Sequence, residues 1–119
     1  MNRRAIGTWG EAQVAEYLRK RGYEILASSY HCVYGEIDLI VRKKKLLCFV
    51  EVKLRKSATF GSAAAFVDGR KQNKLRTTAQ LYLARNESLL QPRFDVIEIY
   101  APQGMDTQNP EICLIENAF

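Results

Sequence analysis

The sequence predicts an α/β domain in which a central mixed β-sheet carries helices. Two stretches, 9–21 and 70–85, repeat apolar residues at the helical spacing. Five shorter stretches alternate apolar and polar residues, or run apolar at strand length. Their order along the chain is α-β-β-β-α-β-β, which suits helices packed on a sheet. At 119 residues and 13.6 kDa the chain fits one domain, residues 1–119.

The first helix is predicted over 9–21. Thr8 and Glu11 have capping-box spacing before it, and Gly22 is a fitting stop. Residues 23–28 alternate like a strand, and 30–35 read as a connection. Residues 35–42 alternate strictly, and 46–54 follow after the Arg42-Lys43-Lys44-Lys45 turn. Together these two read as a β-hairpin, although the turn lacks an Asn-Gly or Asp-Gly pair. Residues 56–69 read as a loop with a short helical turn at 63–66. The second helix spans 70–85 with Asp68 as its cap. Pro92 restarts the chain, 93–100 forms a strand, 101–110 a loop, and 111–116 a last short strand.

Hydrophobic residues make up 47% and charged residues 26%, which excludes disordered, collagenous and low-complexity chains. No apolar run approaches the ~18–20 residues needed to span a bilayer. The basic N-terminus lacks the apolar core of a signal peptide, so a cytoplasmic protein is expected, without membrane association. Cys32, Cys48 and Cys113 show no metal-type spacing, and Cys48 and Cys113 read as core residues. His31 is the single histidine, which excludes mechanisms that need two. Residues 1–90 hold 17 basic and 8 acidic residues, a net +9, whereas 91–119 hold 1 and 5, a net −4. A basic body of this kind favours a polyanionic partner.

If the hairpin is symmetric about Lys44–Lys45, residues directly opposite have numbers summing to 89. Asp38 then faces Glu51, and Glu36 faces Lys53. All four project to one side, with Ile40 and Phe49. The other face is Ile37, Leu39, Val41, Cys48, Val50, Val52 and Leu54, which must be core. A slip of one residue would bury the charges, so the pattern specifies the register. Opposed carboxylates destabilise a sheet unless something offsets them, and a divalent cation does so well. Lys53 could hold a metal-bound water or steady charge on a phosphate. A solvated face with a Glu36–Lys53 ion pair accounts for those two residues. It accounts less well for Asp38 opposite Glu51 between apolar flanks.

Glu11 shares a helical stripe with Val14, Ala15 and Leu18, so it faces the sheet. A capping glutamate needs no further chemistry, so both readings of it stand. Lys71 shares a stripe with Leu75, Ala79 and Tyr82, where a lysine can also snorkel to water. Asp95 reads as structural, His31 as a loop residue, and Trp9 as a packing anchor at the helix start.

Asp38 followed by Glu51-Val52-Lys53 resembles the PD-(D/E)XK nuclease signature, with Ile37 in place of the first Pro. The strings GEAQVAEYL, GEIDLI, FVEVKLR, the Phe60-Gly61 loop, the Lys71/Lys74-Leu75 helix and RFDV are similar, in order, to the YraN-like family. That is a bacterial family of predicted endonucleases related to archaeal Holliday-junction resolvases, and the match covers roughly residues 7–100. The resemblance implies a restriction-endonuclease-like three-layer α/β/α fold with a central mixed sheet. It implies Asp38 and Glu51 as metal ligands, with the Val52 carbonyl as a third. Lys53 becomes the catalytic lysine, and Glu11 falls where resolvase-like members carry a helix acid completing the metal site.

The leading expectation is therefore a Mg²⁺- or Mn²⁺-dependent endonuclease acting on DNA. Arg55, Lys56, Arg70, Lys71, Lys74 and Arg76 would contact the phosphate backbone. A branched, junction-like substrate follows from the resolvase resemblance alone, and a homodimer follows by analogy. The alternative is a non-catalytic nucleic-acid-binding accessory module, in which the acid pair is vestigial. A small protein–protein scaffold is a third reading and suits the basic body least.

Overall fold

A computed structural model of the chain describes residues 3–56 and 67–119. Its elements are α1 (Arg3–Lys20), β1 (Glu24–Cys32), β2 (Gly35–Lys43), β3 (Leu46–Arg55), α2 (Gly69–Arg85), β4 (Gln91–Tyr100) and β5 (Glu111–Ile115), with a 3-10 turn at Gly104–Asp106. The predicted order α-β-β-β-α-β-β is the one observed. The expected helical turn at 63–66 and the Phe60-Gly61 loop lie outside the described residues.

The five strands form one sheet in the order β1-β2-β3-β4-β5. β3 and β4 are parallel and the other pairs antiparallel, so the sheet is mixed. Parallel neighbours need a crossover, and α2 supplies it. Among the described residues each sheet face carries one helix. On one face Val14 and Leu18 of α1 pack with Leu39, Val41, Cys48, Val50, Ile97 and Ile99. On the other, Leu75 and Ala79 of α2 pack with Ile37, Ile40, Leu47, Phe49 and Val96. The result is an α/β protein compatible with the three-layer nuclease-like architecture expected from the sequence. Among the described residues no helix is long and apolar enough to cross a membrane.

α1 is already formed at Arg3, earlier than the expected start at residue 9. Thr8 is therefore not a cap: its hydroxyl donates to the Arg4 carbonyl at 3.0 Å, within the helix. The Thr8–Glu11 spacing imitates a capping box because both residues lie on one face of a longer helix. At the far end Gly22, at φ 88°, takes the left-handed conformation that stops the helix, as expected. Gly10 brings α1 close to the sheet, since a Cβ there would lie 3.1 Å from Leu54 Cδ1.

The β2–β3 register is the predicted one, from Leu39↔Val50 to Lys43↔Leu46, with Lys44 at φ 55° in the turn. The expected connection at 30–35 is instead mostly strand. β1 runs to Cys32, which pairs with Gly35 across a two-residue turn at Val33-Tyr34. Ile37 does not join Leu39 and Val41 on the α1 face, but packs on the α2 face with Ile40. The alternation breaks beside Ser29, whose backbone is left-handed at φ 49°, between the pairs Ser28↔Leu39 and Tyr30↔Ile37. Cys48 is buried as expected. Cys113 is exposed, a correction that follows from its place on β5, the edge strand.

Asp95, on β4, is structural. It is buried, takes two hydrogen bonds from Arg93 at 2.8 and 2.9 Å, and accepts the Asn117 N–H at 2.9 Å. Trp9 packs on the α1 cluster, as expected of an anchor.

Candidate acid–lysine site

The β2–β3 ladder reaches Leu39↔Val50 and runs no further towards residues 38 and 51. Asp38 is thus not held as a ladder partner of Glu51. Its Oδ2 accepts the backbone N–H of Val52 at 2.7 Å, so the side chain satisfies a donor that the ladder leaves open. A residue in a strand sends its N–H and C=O to the same side. The Val52 carbonyl therefore leaves β3 on the side of Asp38.

Glu51 is buried on β3. Two ammonium groups converge on its Oε1: Lys71 Nζ at 2.7 Å and Lys53 Nζ at 3.7 Å. Lys71 comes from the first turn of α2, where Asp68 Oδ1 accepts its backbone N–H at 2.9 Å, as the capping reading expected. The stripe Lys71, Leu75, Ala79 therefore lies against the sheet, with Leu75 and Ala79 in the core and Lys71 at its charged end. The ion pair Lys53 makes is with Glu51 on its own strand, not the cross-strand pair with Glu36.

Burial, and then the charge of Glu51, push the Asp38 carboxyl up to about 7. Glu11 and Glu36 add to that rise, while the Val52 N–H opposes it. Glu11 lies on α1 and its Oε1 accepts the Ser29 hydroxyl at 3.2 Å. Burial raises its carboxyl too, with the Ser29 bond opposing and the charges of Glu36 and Glu51 adding to the rise. Asp38 and Glu11 thus both feel the charges of Glu36 and Glu51. Burial pulls the Lys53 ammonium down, helped by its neighbour Lys71. Burial also acts downward on Lys71 and is the largest single effect, but the hydrogen bond that Lys71 donates to Glu51, together with its neighbour Lys53 and the charges of Glu51 and Asp38, makes the net shift upward. A cleft of about 290 Å³ opens beside Glu11, lined by Thr8, Ala12, Arg19, Ser28 and Ser29.

The remaining basic candidates divide. Lys56, Arg70, Lys74 and Arg76 are exposed. Arg76 lies over the rings of Phe119 and Phe94, at 5.4 and 5.9 Å. Arg55 is turned inward, where its Nη1 donates to Glu98 Oε2 at 3.3 Å. Tyr100 hydroxyl bonds the same carboxylate oxygen. Glu98 carries no motif that marks it in the sequence. Register Lys53↔Glu98 puts it beside the site, but only the parallel β3–β4 pairing, which no local pattern encodes, reveals this.

Among the described residues no three Asp, Glu, His or Cys side chains form a ready metal cage. A magnesium-type ion needs less: one or two carboxylates, with water or phosphate oxygens completing the shell. A buried and a half-buried acid that repel each other, one beside a backbone carbonyl, are a donor set that fits such an ion.

Fold and site together define a three-layer α/β protein with a half-buried acid–lysine cluster where two central strands part. The chain belongs to the uncharacterised protein family UPF0102, whose model matches residues 10–99. It is 45% identical to a UPF0102 protein of Acetivibrio thermocellus, over 99% of this chain and 93% of that one. It is 44% identical to one of Caldanaerobacter subterraneus subsp. tengcongensis, over 98% and 90%. To a UPF0102 protein of Saccharophagus degradans it is 48% identical, over 95% and 91%.

Proposed function

We infer that this protein is a Mg²⁺- or Mn²⁺-dependent endonuclease of PD-(D/E)XK type that hydrolyses DNA phosphodiester bonds. The observation that carries the reading is the pair of half-buried Asp38 and buried Glu51, set against the ammonium groups of Lys53 and Lys71. Burying mutually repelling carboxylates costs stability, and such a cost is commonly retained for function.

In this reading Asp38, Glu51 and the Val52 carbonyl hold the metal, with Glu11 completing the site. The bound ion would polarise the scissile phosphate and make an attacking water more acidic. Lys53, part-buried beside Glu51, orients that water or neutralises charge on the phosphate. Lys56, Arg70, Lys74 and Arg76 supply exposed cations for the backbone, independent of base sequence. Arg55, bonded to Glu98, borders the site from the same strand. The resolvase resemblance extends the proposal to branched DNA and to a homodimer that cuts two symmetric strands. It also suits one domain over 1–119 and a cytoplasmic setting.

One observation favours a second reading, a non-catalytic nucleic-acid-binding accessory module. Lys71 already pairs with Glu51 at 2.7 Å, so the acid has a counter-ion within the chain.

The deciding experiment is cleavage of matched junction, flap, duplex and single-stranded DNA with Mn²⁺ or Mg²⁺. A protein carrying both Asp38→Ala and Glu51→Ala is the control. Cleavage that the double variant loses supports the enzyme, and the substrate ranking tests the preference for branches. Absence of cleavage, with equal DNA binding by both proteins, favours the accessory module.

A further inference from the structure

Glu51 and Lys71 are 20 residues apart in sequence and belong to different layers, yet their contact is the shortest ion pair of the site. Both ammonium groups near Glu51 address the same oxygen, Oε1, with Lys71 the closer by 1.0 Å (2.7 against 3.7 Å). A charge-assisted hydrogen bond of this length lies in the strong range. A dication arriving at that oxygen meets a like charge already in contact with it, and the two repel.

Lys71 has somewhere to go. Its side chain is 39% exposed, whereas that of Glu51 is 8%. The backbone N–H of Lys71 is bonded to Asp68, so the helix start is anchored independently of the lysine side chain. Its neighbours on the solvent side of the same helical turn, Arg70 and Lys74, are exposed. An ammonium released from Glu51 therefore joins an existing basic surface.

We propose that Lys71 is a displaceable counter-ion of Glu51. It neutralises the acid in the metal-free protein, gives up the carboxylate to a divalent cation, and then turns outward to contact a phosphodiester backbone with Arg70 and Lys74. This rests on the metal reading of Asp38 and Glu51 given above. It makes metal loading and polyanion binding mutually reinforcing, because each ligand favours the outward position of one side chain.

The test is calorimetric titration of the full chain, stripped with EDTA, with MnCl₂ alone at neutral pH and without DNA. Lys71→Gln removes the competing charge and keeps the capped helix start. Lys71→Met, which keeps the aliphatic stem, replaces it if the glutamine variant does not fold. Lys71→Arg retains a competing charge. The uncharged variant is expected to bind Mn²⁺ about tenfold tighter than the wild type, the order of effect of losing one charge-assisted bond. The arginine variant should stay close to wild type. The rise in melting temperature on adding MnCl₂ should likewise be larger in the uncharged variant. If the wild type binds Mn²⁺ and the uncharged variant binds it equally or more weakly, the counter-ion role is overturned while the metal site stands. If neither binds Mn²⁺, the metal site and the counter-ion role fall together.

Discussion

Asp38 Oδ2 lies 2.7 Å from the backbone nitrogen of Val52, at the point where the β2–β3 ladder gives way. One acid thereby does two things. It satisfies a main-chain donor, and it holds a carboxylate beside Glu51 in a half-buried setting that pushes its own proton affinity up. These two roles separate in mutants. Asparagine can still accept the Val52 N–H but carries no charge. In EDTA at pH 8, where the raised Asp38 carboxyl is ionised, Asp38→Asn should be more stable than wild type by about 1 kcal/mol, because a repelled half-buried charge is gone. Asp38→Ala leaves the N–H without its acceptor and should lose about 1–3 kcal/mol. Urea unfolding of the three proteins checks the order. Equal stability of the two variants would show that the Val52 bond contributes nothing.

Lys53 is the nearer candidate for chemistry because it lies on the strand of Glu51 itself, part-buried, with its ammonium 3.7 Å away. Lys53→Ala should lower DNA cleavage by about 10²-fold or more, as expected for loss of a group that steadies transition-state charge. Metal binding and most DNA affinity should remain. Single-turnover cleavage measured with DNA affinity in the same buffer checks this, and unchanged cleavage removes Lys53 from the mechanism.

Glu11 is freed from the capping explanation by its own helix, which is already formed at Arg3. Glu11→Gln should therefore change stability by no more than about 0.5 kcal/mol. The amide can still accept the Ser29 hydroxyl, but it carries no charge towards the site. Loss of cleavage at wild-type stability is the expected result. A stability loss with full activity would return Glu11 to a purely structural role.

The cysteines differ in reactivity because they differ in surroundings. Burial, together with the charge of Asp95, pushes the Cys48 thiol up to about 12. Cys113 is exposed, and Cys32 is only partly covered. At mildly alkaline pH, iodoacetamide should label Cys113 and Cys32 in the folded protein and reach Cys48 only in denaturant. Cys48 also carries a pH dependence. Its folded value lies above the ordinary 9.0, so its contribution to stability is full below about pH 9 and is lost as pH rises towards 12. Above pH 9, Cys48→Ala should lose stability less steeply than wild type, as thermal melts across that range would show.

Much of this arrangement is legible in the chain. The β2–β3 register follows from a strict period of two that puts Leu39, Val41, Cys48 and Val50 on one face, and the structure has that register. The stripe Leu75, Ala79 specifies the buried side of α2 for a similar reason. The misreadings share a cause, which is that local spacing is ambiguous about context. Thr8 and Glu11 have cap spacing inside a helix, because that spacing also puts them on one helical face. Cys113 alternates like a core residue, but β5 lies at the edge of the sheet, where one neighbour is missing. Ile37 leaves its expected face opposite the stretch of β1 where Ser29 is left-handed, a residue without a glycine signal.

By itself the sequence determined the order of the elements, the hairpin register, and the gathering of Asp38, Glu51 and Lys53 at one end of two neighbouring strands. Those are consequences of short-range periodicity, which needs only a core on one side to be enforced. The tertiary structure alone decided that Asp38 bonds Val52, that Lys71 reaches Glu51, and that Glu98 claims Arg55. The Lys71 and Glu98 contacts join residues 20 and 43 positions apart. They exist because helix packing and parallel strand pairing set distances that no local pattern encodes. The Asp38 contact spans only 14 positions, but it depends on two strands parting, which a regular ladder would not predict.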